Sequence, residues 1–259
     1  MRKLIVRALT CRRGSRVVLA DVHIAFAAGE VTAIVGPNGS GKTTLLRYLA
    51  GLEKQSPGEI EVDGRALATI ERGEKARRIA YLPQSASVSW PLLGRDLVAL
   101  GRLPHGADLT RPLAPSDAAA VARALARVSG TVLGDRPIDA LSQGERARLL
   151  LARTLATEGD ILLADEPVAS LDPGYALDVM AVLRLEAARG VCVVVTLHDL
   201  GLAARFADRV VVVAGGRVAA DGPPAEALRP ETIDAAYGVG FRSVMIEGVL
   251  QPLAWSRPA

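Results

Sequence analysis

Gly36-Pro37-Asn38-Gly39-Ser40-Gly41-Lys42-Thr43, with Thr44 next in the chain, matches the spacing G-x-x-x-x-G-K-[ST]. It lies directly after the apolar run Val31–Val35 and directly before a helix-like stretch at 43–50, the strand–loop–helix context this motif requires. The glycines let backbone N–H groups converge on phosphate oxygens, and the helix N-terminus adds positive potential. Lys42 reaches the β- and γ-phosphates, and Thr43 offers a hydroxyl to Mg²⁺. Further along, Ile161-Leu162-Leu163-Ala164-Asp165-Glu166 is an apolar run that ends in two carboxylates. Asp165 is placed to hold Mg²⁺, usually through water, and Glu166 to sit beside the γ-phosphate. There it would polarise an attacking water as general base, an effect of typically ~10² to 10⁴ in rate. Together the loop and the acid pair point to hydrolysis of ATP with Mg²⁺.

The elements that must carry these residues read as an α/β fold of the P-loop, RecA-like kind. The runs at 31–35, 161–164, 191–197 and 210–214 are continuously apolar rather than alternating, as strands buried on both faces are, so a mainly parallel sheet covered by helices is expected. Strand-like stretches at 4–9, 17–26, 59–62 and 79–82, separated by turns such as Asp63-Gly64, predict a flanking antiparallel sheet. From 85 to 159 alanine, leucine and arginine dominate and a helical insertion is expected, with Ser116 as N-cap of a helix to about Val128. After Gly222 come Pro223-Pro224, two short helical stretches, a strand at 241–246 and a proline-broken end at 251–259. The expected division is therefore a catalytic core with β subdomain (1–84 and 160–222), a helical subdomain (85–159) and a C-terminal extension (223–259).

The chain has 259 residues, 50% hydrophobic and 23% charged, which is enough for one core with an appended subdomain and excludes general disorder. Lys+Arg number 31 against 28 Asp+Glu, a net +3 with no basic block, and nothing in it demands nucleic acid. Aromatics at 3% leave few platforms for stacking single-stranded nucleic acid or sugars. Cys11 and Cys192 are too few for a disulfide framework, and Cys192 sits in an apolar run that suits a buried, reduced thiol. No stretch has signal-peptide character or approaches 18 apolar residues, so a protein neither exported nor membrane-spanning on its own is expected. His23, His105 and His198 show no metal-ligand spacing.

A set of motifs in a fixed order carries a family resemblance. After the loop and before the acid pair comes Leu141-Ser142-Gln143-Gly144-Glu145, which resembles the signature of ATP-binding cassette (ABC) proteins. Gln84 in Tyr81-Leu82-Pro83-Gln84 is similar to their Q-loop, Ser170-Leu171-Asp172 to their D-loop, and His198 in Thr196-Leu197-His198-Asp199 to their switch histidine. Taken alone, a histidine closing a buried strand is more often structural. The resemblance implies a head-to-tail homodimer in which Ser142 and Gly144 of one subunit contact the γ-phosphate of ATP held by Lys42 of the other. It also implies that Gln84 senses Mg²⁺ and the attacking water, and that His198 holds the γ-phosphate and Glu166 in line. The helix expected at 145–155, opened by Ser142 and the N–H groups of Gln143 and Gly144, fits an anion site of that kind. Two positions depart from the family. Gln143 replaces a commoner glycine, which would cost roughly 1 kcal/mol if φ were positive. Cys11 lies near where the family often has an aromatic residue against adenine, leaving Arg12 or Arg13 to stack on the base.

One cassette without a membrane span looks like the stand-alone ATPase of a multi-subunit importer, peripheral on the cytoplasmic face of the inner (plasma) membrane. The stretches at 96–105 and 197–209 and the late Ala236-Tyr237-Gly238-Val239 are similar to ATPases of iron-siderophore, haem and cobalamin importers. The partners implied are a second copy, integral-membrane permease subunits and, indirectly, an extracytoplasmic substrate-binding protein. Residues 85–93 with Trp90 either receive a permease helix or close the helical core, and 96–105 equally suits a helix packed internally. The alternatives are an ABC ATPase serving another substrate and a soluble, ATP-switched regulator.

Overall fold

The computed structural model describes residues 2–54, 60–84, 91–169 and 171–256. The chain opens with two long antiparallel strands, β1 (Arg2–Arg13) and β2 (Arg16–Ala27), then β3 (Val31–Val35) and, after the glycine-rich loop, α1 (Lys42–Leu49). Next come β4 (Ile60–Val62), β5 (Arg65–Ala66), α2 (Arg72–Arg78) and β6 (Ile79–Leu82). Asp63 and Gly64 join β4 to β5 with both φ positive, at 48° and 78°, the twist that a two-residue hairpin demands. The helices α3 (Gly94–Ala99), α4 (Pro115–Arg127) and α5 (Gln143–Leu155) follow. After them come β7 (Ile161–Asp165), α6 (Pro173–Ala188), β8 (Cys192–Thr196), α7 (Leu200–Phe206), β9 (Arg209–Ala214) and β10 (Arg217–Gly222). The end of the chain forms α8 (Pro224–Ala227), α9 (Pro230–Tyr237) and a hairpin of β11 (Gly240–Ile246) and β12 (Val249–Ser256).

Two sheets build the body. The larger has the order β10-β9-β3-β8-β7-β6, parallel throughout except for β10, and the smaller is antiparallel, β2-β1-β4-β5. The fold class is α/β. Side chains of a strand alternate between faces, and here both faces are buried, which is why the runs are uninterrupted. Ala33, Val35, Leu162, Ala164, Val193, Val195, Val210 and Val212 face one core with α5 and α6. Ile34, Ile161, Leu163, Cys192, Val194, Val211 and Val213 face the other, with α1 and Phe26. Cys192 is fully buried and its thiol is pushed up to about 12 by that burial. Roughly one thiol in 10⁴ is then thiolate at pH 8, so a thiol reagent should leave Cys192 unlabelled in the native protein and modify it on unfolding. Rapid native labelling followed by peptide mapping would contradict the packing.

Four details differ from the sequence reading. Ile79–Leu82 pairs in parallel with β7 rather than joining the antiparallel sheet, because its burial on both sides suits the larger one. β10, only half-buried on alternate residues, had no apolar run to announce it. Ser116 is not the cap of α4: Ala114 precedes the helix and Pro115 takes its first position, where a missing N–H costs nothing. The proline-broken end is paired, with Pro252 opposite Ser243 in a two-stranded ribbon that leaves an edge free for a residue lacking a donor. Glu59 and Trp90 lie outside the described residues.

Between β6 and β7 the helices are tied down by Arg102. Its guanidinium is buried and donates to Asp117 at 2.8 Å, Glu158 at 3.2 Å and the Ala156 carbonyl at 2.8 Å, joining α4 to the end of α5. Among the described residues no helix is long and apolar enough to cross a membrane.

Candidate active site

The site lies at the carboxyl ends of β3, β7 and β8, where an open α/β sheet leaves its crevice. Gly36 has φ 151° and a Cβ there would stand 2.0 Å from the Val213 carbonyl oxygen; Gly41, at φ 107°, would put one 2.7 Å from Leu19. The loop thus threads between β9 and β2 where no side chain fits. α1 begins at Gly41 with no side-chain cap, so its first N–H groups stay open to an anion. Lys42 is buried and donates to the carbonyls of Gly36, 2.8 Å, and Pro37, 3.2 Å, bracing the loop from inside. Burial draws its pKa down, against the opposing pull of Glu166 and Asp165.

Asp165 closes β7 almost fully buried. Its Oδ1 accepts from the Thr43 hydroxyl at 3.1 Å and the Thr196 hydroxyl at 2.8 Å, and its Oδ2 from Tyr81 at 3.5 Å. The Tyr81 phenol is pushed up to about 12, by burial first and the Asp165 charge second. A carboxylate beside two hydroxyls is a hard-oxygen set, the donor chemistry that suits Mg²⁺.

Glu166 follows at φ 49°, a left-handed conformation costly for a non-glycine residue. Its N–H donates to Thr196 Oγ1 at 2.8 Å, which holds the turn. The turned-out carboxylate is 9% exposed; Gln84 Nε2 donates to its Oε2 at 2.6 Å, and His198 Nε2 pairs with its Oε1. Gln84, Glu166 and His198 come from three different strand ends and meet beside the loop.

A cleft of about 650 Å³ opens over these groups, lined by Asn38, Gly39, Gly41, Lys42, Thr43, Thr44, Gln84, Glu166 and His198. Ser40 sits under the loop, buried, its hydroxyl without a partner. The cleft's outer wall is Arg13, Arg16 and Val18, with no aromatic ring. Cys11 does not reach it: its side chain lies in the core behind β1. Arg12 is exposed and off the cleft, whereas Arg13 and Arg16 are in no ion pair among the described residues. Arg16 and Thr196 were not singled out from the sequence. The cluster of three arginines around the Gly14-Ser15 turn, and a hydroxyl closing a valine run, were the available signals.

Ser142 and Gly144 do not line this cleft. Ser142 is exposed and caps α5, accepting from the Glu145 N–H at 3.3 Å while its own N–H donates to Glu145 at 2.8 Å. Hydrogen bonds from Ser142, with Arg136 beside it, hold the Glu145 carboxyl below the usual range. Gln143 takes the first helical position, so the strain feared for a non-glycine residue there does not arise. Asp172 caps α6 through the Tyr175 N–H at 3.1 Å, and Ser170 lies outside the described residues. Of the other histidines, His23 pairs with Asp21 and His105 with the Thr157 carbonyl.

A glycine-rich loop between a buried strand and a helix, facing two consecutive acids at the carboxyl end of another strand of the same parallel sheet, defines a P-loop nucleotide hydrolase. The family model described as ABC transporter matches residues 19–169. The chain belongs to the ABC transporter family and is an ATP-binding ATPase of that class. It is 45% identical over 226 residues to the hemin import ATP-binding protein HmuV of Rhodococcus jostii, spanning 87% of this chain and 76% of that one. It is 47% identical to the protein of the same name in Nocardia farcinica, spanning 87% and 79%. Against the cobalamin import ATP-binding protein BtuD of Halobacterium salinarum the identity is 44%, over 85% of this chain and 55% of the relative. Among solved structures, cbiO1 from Clostridium perfringens, part of the ABC transporter complex cbiONQ, superposes with a TM-score of 0.76 at 27% identity, covering 91% of this chain and 96% of that one.

Proposed function

We propose that the chain is the ATP-hydrolysing subunit of an importer for a metal chelate, haem foremost, working as a head-to-tail homodimer beneath membrane permease subunits on the cytoplasmic face. The observation that carries the hydrolytic part is the meeting of Gln84, Glu166 and His198 at the mouth of the phosphate loop. The choice of cargo rests on the likeness to relatives named for hemin and cobalamin import.

In this reading the N–H groups of residues 38–44 and the Lys42 ammonium receive the β- and γ-phosphates, Lys42 exchanging its two loop carbonyls for phosphate oxygens. Thr43, Gln84 and Asp165 would hold Mg²⁺, which would supply neutralisation of the phosphate charge. Glu166 takes the proton of the attacking water, and His198 keeps the carboxylate and the γ-phosphate in line. Both Glu166 oxygens are engaged by Gln84 and His198, so one must yield to water. Ser142 and Gly144 serve the nucleotide of the partner subunit, which accounts for their absence from their own cleft.

The base rests between Arg13, Arg16 and Val18, where a guanidinium plane replaces an aromatic ring as the stacking surface. Arg16→Ala should weaken ATP binding by roughly 2- to 30-fold, since such contacts are worth about 0.5–2 kcal/mol, with no loss of turnover at saturating ATP. Calorimetric titration checks it, and an unchanged affinity removes Arg16 from the site.

A second groove, of about 660 Å³ between α2 and the end of α5, is lined by Leu52, Lys75, Leu100, Pro104 and Arg153, and supports the reading as the surface that receives a permease segment. The wider claim is tested by uptake of labelled haem, cobalamin and ferric siderophore in cells lacking this chain, complemented with wild type or Glu166→Gln. Restoration of one cargo by wild type alone supports it. Uptake restored equally by both contradicts it.

A further inference from the structure

Gly144 and Arg148 lie on the same face of α5, one turn apart, and both press on a single side chain of a different helix, Tyr175 in the first turn of α6. A Cβ at Gly144 would stand 2.8 Å from both Cδ2 and Cε2 of the ring, so the helix backbone is seated directly on the aromatic face. The Arg148 guanidinium carbon lies 4.4 Å from the ring centroid, and its Nε is buried without a hydrogen-bond partner, so the π-face is the partner it has there. Tyr175 is fixed in turn by its N–H, which donates to the capping Asp172. That residue ends the short segment running from Glu166, whose own backbone is locked to Thr196. The first turn of α5 is therefore tied through the Tyr175 ring to Asp172, six residues along the chain from Glu166.

We propose that Tyr175 is the positioning residue that holds the Ser142–Gly144 turn in register with Glu166, so that the surface offered to a second subunit's nucleotide is set by the state of the chain's own cleft. This rests on the head-to-tail reading above. Tyr175 touches no reacting atom in this scheme; it acts through the backbone of Gly144. Small residues at a helix contact bring backbones close, and a ring face against a glycine has one seating, which gives the two helices a discrete arrangement rather than a sliding one.

The test uses the full chain carrying Glu166→Gln, with MgATP, and compares Tyr175, Tyr175→Leu and Tyr175→Phe. Tyr175→Leu should raise the dissociation constant of the ATP-bound dimer by roughly tenfold, and Tyr175→Phe, which keeps the ring face, should restore it. ATP affinity of the monomer, titrated below the dimerising concentration, should be the same in all three. In the monomer without nucleotide, amide exchange at residues 143–146 should quicken in Tyr175→Leu and not in Tyr175→Phe. Arg148→Met, which spares the glycine seat, should give a smaller shift in the same direction. A Tyr175→Leu protein that dimerises as tightly as its parent overturns the proposal, as does one that loses monomer affinity or global stability in proportion. If the parent itself fails to dimerise, the head-to-tail reading fails, and the exchange at 143–146 still decides whether Tyr175 holds the turn.

Discussion

Glu166→Gln should lower ATP turnover by ~10²- to 10⁴-fold while ATP binding persists. The amide is nearly isosteric, so the Gln84 contact at 2.6 Å and the backbone bond to Thr196 have partners to keep, and the left-handed turn at φ 49° is unchanged. What is lost is a base. Steady-state phosphate release at saturating MgATP, paired with nucleotide titration, separates the two effects. A variant that hydrolyses at the parental rate would remove Glu166 from the chemistry and leave its pairing with His198 as a structural contact.

Lys42→Ala should act on the other parameter. A charge-assisted contact to phosphate contributes about 1.5–3 kcal/mol, so the dissociation constant for ATP should rise roughly 10- to 150-fold. The same substitution leaves the Gly36 and Pro37 carbonyls without the donor that now braces them. Part of the loss will therefore be disorder of the loop rather than the missing charge. Calorimetry with ATP and with inorganic triphosphate reads the phosphate contribution without the base. An affinity equal to wild type for both ligands would mean that Lys42 is only an internal brace.

The two substitutions fail differently because the residues sit on opposite sides of the reacting phosphate in the proposed scheme. Lys42 enters from the loop beneath, and Glu166 from the strand end in front. Mixed outcomes are therefore informative. Loss of binding in both variants would point to a collapsed cleft, and loss of turnover in both at full occupancy would point to a role for Lys42 in the transition state alone.

How much of this could be read in the chain depends on how local each signal is. Val31–Val35 and Cys192–Thr196 were legible as buried strands because five consecutive buried residues leave no alternation to confuse with a surface strand. β10 was not, since an edge strand half in water carries no such run. Lys42, Thr43, Asp165 and Glu166 could be placed because loop and strand-end chemistry follow from spacing. Gln84 and His198 needed the family likeness, as nothing in their neighbours' types says that two distant strand ends converge on one carboxylate. Cys11 misled because position along a strand was legible while the face was not: β1 is irregular around Ala8 and Cys11, and the cysteine turns into the core. Arg16 then takes the wall of the cleft, a consequence of hairpin register that no local pattern encodes. Tyr175 and Gly144 are far apart in sequence, and only packing reveals that one is the seat of the other.

The head-to-tail arrangement proposed above requires a second copy to complete the ATP site. Sedimentation of Glu166→Gln with MgATP, alongside nucleotide counting, tests it most directly. The 27.1 kDa chain should double in mass on adding ATP, carry one ATP per chain in the dimer, and return to monomer in the Ser142→Arg variant. A chain that stays monomeric with its cleft saturated by ATP would contradict it.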